Sequence, residues 1–139
     1  MGASGVSRTL FIGDVHGCAA SLAELLDRLA YSPGRDRLFL TGDAFSRGPD
    51  PLGVWAILRA TGAEMVLGNH DDWLMRLLED RLAGGTLYLE RDKDRDLVER
   101  LWPVAAEVLA WLEARPLAID EPGFVLVHAG VHPRAGLAG

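Results

Sequence analysis

This chain predicts an α/β fold, a largely parallel sheet with flanking helices. Three observations carry that expectation. Short apolar runs alternate with helical patterns through the first half of the chain. The connections between them are short, as in β-α units joined by right-handed crossovers. Each of these apolar runs also leads into a glycine with a polar residue beside it: Gly13-Asp14, Gly42-Asp43 and Gly68-Asn69.

Taken in order, residues 1–8 read as a polar lead-in, and Thr9, Leu10, Phe11 and Ile12 form the first strand. A helix is expected over residues 21–30, with Leu22, Leu25, Leu26 and Leu29 spaced as one apolar face. Ser21 and Glu24 have the spacing of a capping box. Ser32-Pro33-Gly34 ends that unit. The second strand covers residues 37–41. Asp50-Pro51 then gives an N-cap followed by proline at the first helical position. The second helix turns Leu52, Trp55 and Leu58 inward and stops at Gly62. A third strand over residues 64–67 leads to Gly68-Asn69-His70-Asp71, and a third helix carries Leu74, Leu77 and Leu78 before Gly84-Gly85.

The second half is less regular. Residues 91–96 alternate in charge and read as a solvated loop or a helix start. A helix over residues 104–114 opens after Pro103 and packs Val104, Val108, Leu109 and Leu112. Residues 117–119 and 124–127 form two strands joined by a tight turn at Asp120-Glu121-Pro122-Gly123. The second of these strands ends in His128.

Composition narrows the function classes. At 139 residues the chain amounts to one domain, with a net charge of −6. That balance disfavours a nucleic-acid polymer as partner, because such binders carry a basic stripe. No apolar run is long enough to span a bilayer, and residues 1–5 lack the charged and apolar parts of a signal peptide. The single cysteine, Cys18, fits a reducing cytoplasm and reads as packing at a helix start. Trp55, Trp73, Trp102 and Trp111 read as packing residues. Asp71 and Asp72 read as acidic residues offsetting a helix macrodipole, and His132 as a loop residue.

Four strand ends carry polar clusters: Asp14 and His16, Asp43, Asn69 and His70, and His128. In open α/β sheets ligands collect beyond the carboxyl ends of the strands. Carboxylate, amide and imidazole donors suit hard-to-borderline divalent ions. If one carboxylate bridges, the set holds two ions about 3.5–4 Å apart, a spacing that clamps a water and a phosphoryl group for in-line attack.

The series Gly13-Asp14-Val15-His16-Gly17, Gly42-Asp43-Ala44-Phe45-Ser46-Arg47-Gly48-Pro49, Gly68-Asn69-His70-Asp71 and His128-Ala129-Gly130 resembles the signature of the calcineurin-like metallophosphoesterases. Its order and spacing match the branch that holds Ser/Thr protein phosphatases and bacterial symmetrical diadenosine tetraphosphatases. The resemblance implies an α/β/β/α sandwich, of which residues 1–139 are the N-terminal portion of the domain. It implies Asp14, His16 and Asp43 on one metal ion, with Asp43, Asn69 and His128 on a second. It further implies Arg47 on phosphate oxygens and His70 as general acid. The ions expected are two, of Mn²⁺ foremost, with Fe or Zn²⁺ as alternatives. The reaction implied is hydrolysis of a phosphoanhydride or phosphate ester by a hydroxide bridging the two ions, with no phosphoenzyme.

Two departures from the family pattern shape these expectations. Family members supply a further histidine from a downstream Gly-His motif, before which this chain ends. A weak second metal site and an exposed apolar sheet face, prone to self-association, are therefore expected. Ser46 stands where the protein phosphatases of the branch usually carry an aspartate, whereas the tetraphosphatase type has a non-acidic residue there. The preferred substrate is thus a dinucleoside polyphosphate, with a phosphoprotein as the alternative. A truncated module that binds metal or phosphate without turnover is the alternative of a different class.

Overall fold

A computed structural model describes residues 7–128. The polar lead-in over residues 1–6, Ala129, Gly130 and His132 lie outside the described residues. Three short strands, β1 (Thr9–Ile12), β2 (Arg37–Leu40) and β3 (Glu64–Met65), form a parallel sheet in the order β1-β2-β3. Thr9 faces Arg37 in the register of the first pair, and Phe39 faces Glu64 in the second. Between them run α1 (Ala19–Arg28) and α2 (Pro51–Thr61), and α3 (Asn69–Leu82) follows β3. A 3₁₀ turn at Leu87–Leu89 leads to α4 (Asp92–Leu101). A second turn at Trp102–Val104 leads to α5 (Ala105–Glu113). The hairpin β4 (Ala118–Glu121) and β5 (Phe124–Val127) is antiparallel and forms its own two-stranded sheet.

The pleat of the parallel sheet sorts its side chains to two faces. Leu38, Leu40, Ile12 and Met65 join the large core built with the helices. Phe39 and Val66 point the other way and bury against Leu126 of β5. Phe39 stacks on Phe11 at 5.5 Å and meets Phe124 edge-on at 5.3 Å. The Arg37 guanidinium ties the layers at their edge, bonding both carboxylate oxygens of Glu121 at 2.7 and 2.8 Å and Glu64 at 3.0 Å. The hairpin thus covers part of the second sheet face. Phe11 stays 47% exposed and Val125 49%, so apolar surface remains at that layer.

Several expected boundaries move. Helix α1 begins at Ala19 rather than residue 21, with Cys18 at its N-cap and no side-chain cap, so Ser21 and Glu24 form no capping box. The chain turns early where Cys18 N–H donates to Val15 O at 2.9 Å, a turn held in place by the bonds of His16 and Gly17 N–H to Asp43 and Ala44 O. Leu25 and Leu52, both expected inward, are exposed; Leu22, Leu26 and Trp55 are buried as expected, and Val54 joins them in the core. Strand β3 stops at Met65 because Leu67 N–H leaves the sheet for Pro116 O at 2.9 Å. Helix α2 keeps its expected caps: Asp50 accepts from Gly53 N–H at 2.8 Å, and Gly62 ends the helix at a φ of 65°. The charged segment 91–96 is a helix start. Its Asp94 is buried and accepts from Trp73 Nε1 at 3.1 Å. No described helix is long and apolar enough to cross a membrane.

A second buried carboxylate fixes the turn before β2. Asp36 receives forked hydrogen bonds from both Arg8 and Arg35, at 2.9 to 3.1 Å, and the Ser32 N–H at 2.9 Å. The bonds from Arg35 and then Arg8 hold its carboxyl well below the usual carboxylate range. The unfolded carboxyl titrates near about 4. Its contribution to stability is therefore complete above that pH and is lost as the pH falls toward the depressed folded value. Asp36→Asn is expected to lower the urea midpoint at pH 7, with the gap from the parent narrowing below about pH 4. A gap that stays constant across that range would show that charge plays no part.

Candidate active site

The loops after β1 and β2 are zipped together by their backbones. His16 N–H donates to Asp43 O at 3.2 Å, Gly17 N–H to Ala44 O at 2.7 Å, and Asp50 N–H to Gly17 O at 2.9 Å. The approach is so close that a Cβ on Gly48 would collide with the carbonyl of His16. Glycine is required there because the two backbones occupy the space of a side chain. The same zipper holds Asp14, His16, Asp43 and Arg47 at φ values of 56°, 41°, 57° and 76°. The left-handed region costs a non-glycine residue about 1–2 kcal/mol. Of the five non-glycine residues with positive φ among those described, only Ala30 lies outside these two loops.

Asp43 stands at the centre. Its carboxylate is buried, and Oδ2 lies 2.9 Å from His70 Nδ1 and 3.1 Å from His128 Nε2. Oδ1 accepts the His70 backbone N–H at 3.0 Å. Burial alone would raise the carboxyl; the hydrogen bond from His70 and the charge of His128 outweigh it and hold Asp43 below the ordinary aspartate range. The other ring nitrogen of His70, Nε2, receives Arg47 Nη2–H at 3.1 Å. One tautomer satisfies both contacts, with the proton on Nδ1, an assignment made from the hydrogen-bond network.

The expected residues meet at one rim but not all in the same way. Asp43, His70, His128 and Arg47 form a continuous chain of contacts. The His16 ring lies 6.2 Å from that of His70, and Asp14 Oδ1 is 3.9 Å from His16 Nε2. The Asp14 carboxylate faces solvent. Asn69, the first residue of α3, lines a cavity together with Arg47 and His70. Among the described residues no three of His, Cys, Asp and Glu already stand in a metal-holding arrangement. Asp43 is occupied by two imidazoles, and Asp14 turns outward. His128 arrives on β5, from the hairpin rather than from the parallel sheet, so the rim draws on both sheets.

Asp71 is the residue whose part sequence reasoning missed. It is buried, and its Oδ2 accepts the N–H groups of Asp43 and Gly68, both at 2.8 Å. It thus fastens the start of α3 to the loop that carries Asp43. Burial pushes its carboxyl up to about 6, against the pull of those two backbone donors. Its position three residues after the N-cap Gly68 was the available signal, since an acid there reaches back to the N-cap N–H. The macrodipole reading explained the residue type without that contact.

Residues 7–136 match the model of the calcineurin-like phosphoesterase family. The chain belongs to that family. It is 43% identical over 129 residues to the symmetrical bis(5'-nucleosyl)-tetraphosphatase of Dechloromonas aromatica, covering 91% of this chain and 45% of that protein. The protein of the same name from Cronobacter sakazakii is 42% identical over 132 residues, covering 91% and 44%. A crystal structure of a candidate diadenosine tetraphosphatase superposes with a TM-score of 0.67 at 30% identity, over 93% of this chain and 57% of that one. The chain therefore spans about half the length of the curated relatives it matches.

Membership of the calcineurin-like phosphoesterases implies divalent metal ions. The donors of this member suit them. His128 Nδ1–H donates to Thr41 O at 2.6 Å, which leaves the Nε2 lone pair facing Asp43 Oδ2 at 3.1 Å. Two acceptors at that distance need a proton on Nε2 or a cation shared between them. An imidazole held through one nitrogen by a backbone carbonyl, with the other turned into the site, is the common second-shell pattern of metal-ligating histidines. His16 Nδ1 is buried with no partner among the described residues.

Proposed function

We propose that this chain carries the site of a metal-dependent phosphoric ester or anhydride hydrolase of dinucleoside tetraphosphate type. The observation that carries the reading is the backbone strain gathered on Asp14, His16, Asp43 and Arg47. Strain of this kind persists only where surrounding structure over-determines it, and it clusters at functional sites.

In this reading Asp14, His16 and Asp43 hold one divalent ion, and Asp43, Asn69 and His128 a second. The donor set favours Mn²⁺, with Fe and Zn²⁺ as alternatives. Such ions would polarise a phosphoryl oxygen and lower the pKa of a water. The chain's own groups do the rest. Arg47 presents a planar fork of donors to the phosphate oxygens. Once Arg47 turns to phosphate, His70 Nε2 is released from its present bond and is free to carry the proton for the leaving oxygen. Its Nδ1–H stays on Asp43 and keeps the ring in place. The names of the relatives supply the substrate class, and Ser46 in place of an acidic residue supports it against a phosphoprotein.

Chelation followed by addition of Mn²⁺ tests the reading. Hydrolysis of p-nitrophenyl phosphate is expected to vanish with chelator and to return with Mn²⁺. Diadenosine tetraphosphate is expected to be turned over in preference to a phosphoserine peptide. Activity that survives chelation would overturn the metal assignment. The outward-turned Asp14 favours one rival, a module that binds without turnover, and no hydrolysis with any of the three metals would establish it.

A further inference from the structure

A cavity of about 210 Å³, which His70 lines and Asp43 does not, is formed by the loop after β2, the first turns of α3 and the start of α4. Its lining includes Arg47 and His70, the apolar Trp73 and Leu97, and the cations Arg91 and Lys93. Lys93 is the only lysine in the chain. Eight of the twelve described arginines pair with carboxylates, whereas Arg47, Arg91 and Lys93, like Arg81 and Arg115 elsewhere, enter no ion pair among those residues. A chain of net charge −6 thus brings three uncompensated cations to one cavity. The acidic lining residue, Asp94, is buried and bonded to Trp73 Nε1 at 3.1 Å. That bond also fixes the indole, over which the Arg91 guanidinium lies at 5.8 Å.

We infer that this cavity is the subsite for a leaving group that itself carries phosphate, held by Arg91 and Lys93. The inference rests on the proposed function, because the role of His70 fixes which side of the reacting phosphoryl group departs. The scissile bond then lies between Asp43 and the cavity. Water adds its oxygen to the phosphorus, the bond to the leaving oxygen breaks, and that oxygen takes a proton from His70. Whatever departs must pass into the space beyond His70. A neutral or apolar group would gain nothing from two free cations there, whereas the next phosphate of a polyphosphate chain would neutralise them. Cavities that enclose a whole drug-sized ligand run to about 300–1,000 Å³. The smaller volume suits the phosphates of the departing half, with its base left at the Trp73 wall or outside.

The double variant R91A/K93A tests this, since both side chains are exposed and neither is in the core. Its kcat/KM for diadenosine tetraphosphate is expected to fall about tenfold or more, the sum of two partly screened charge contacts. Hydrolysis of p-nitrophenyl phosphate, whose leaving group has no phosphate, should be unchanged. Calorimetry on the parent should show ADP binding more tightly than inorganic phosphate, with that advantage lost in the double variant. Equal losses on both substrates, or none on either, would overturn the subsite. If the parent hydrolyses nothing with any metal, the proposed function fails and calorimetry alone decides. In that case, ADP binding no tighter than inorganic phosphate, or untouched by the double variant, overturns the subsite as well.

Discussion

Replacing His70 by Asn is expected to lower kcat about 10²–10⁴-fold, the usual contribution of a general acid, with the content of bound metal unchanged. The geometry supports both halves of that expectation. Nδ1 is spent on Asp43 Oδ2 at 2.9 Å, and an asparagine amide can replace that donor. Nε2, which faces Arg47 and the cavity, has no counterpart in asparagine that could deliver a proton. The loss should be larger for phenyl phosphate than for p-nitrophenyl phosphate, because the poorer leaving group depends more on protonation. A purely structural histidine would slow both alike. Loss of metal in the variant would instead show that His70 serves mainly to hold the Asp43 carboxylate in place.

How much of this was legible beforehand differs between the sheet and the rim. The three parallel strands and the caps of α2 were readable, because Asp50-Pro51 and Gly62 act through local backbone geometry. The N-terminus of α1 was not. Its position is set by the hydrogen bonds that zip residues 16–17 to residues 43–44, contacts between segments some 27 residues apart. Leu25 and Leu52 had the right spacing for a core face but face solvent, since period alone does not say how wide a buried stripe is. At the rim, the motif residues stood out because each follows a strand. What escaped was the means of support, as with the Asp71 carboxylate. The segment 91–96 escaped too: its alternating charges look solvated until α4 folds back beside His70 and places Arg91 and Lys93 at the cavity.

Asp71→Ala is expected to destabilise the fold by about 2–4 kcal/mol, since two buried N–H donors lose their acceptor at about 1–3 kcal/mol each. Asp71→Asn should cost far less. Its amide oxygen can take both N–H groups, and it removes a carboxylate whose charged form is disfavoured by burial. Urea unfolding of the three proteins in the presence of chelator measures this without any contribution from bound metal. The alanine variant should also bind Mn²⁺ more weakly, because the same carboxylate holds the Asp43 N–H while Asp43 sits at a φ of 57°. Released from that bond, Asp43 is free to leave the left-handed region, and its carboxylate then no longer faces His128. Alanine and asparagine variants of equal stability would mean that the N–H groups find other partners. The rigidity of the rim would then have to come from the zippered loops alone.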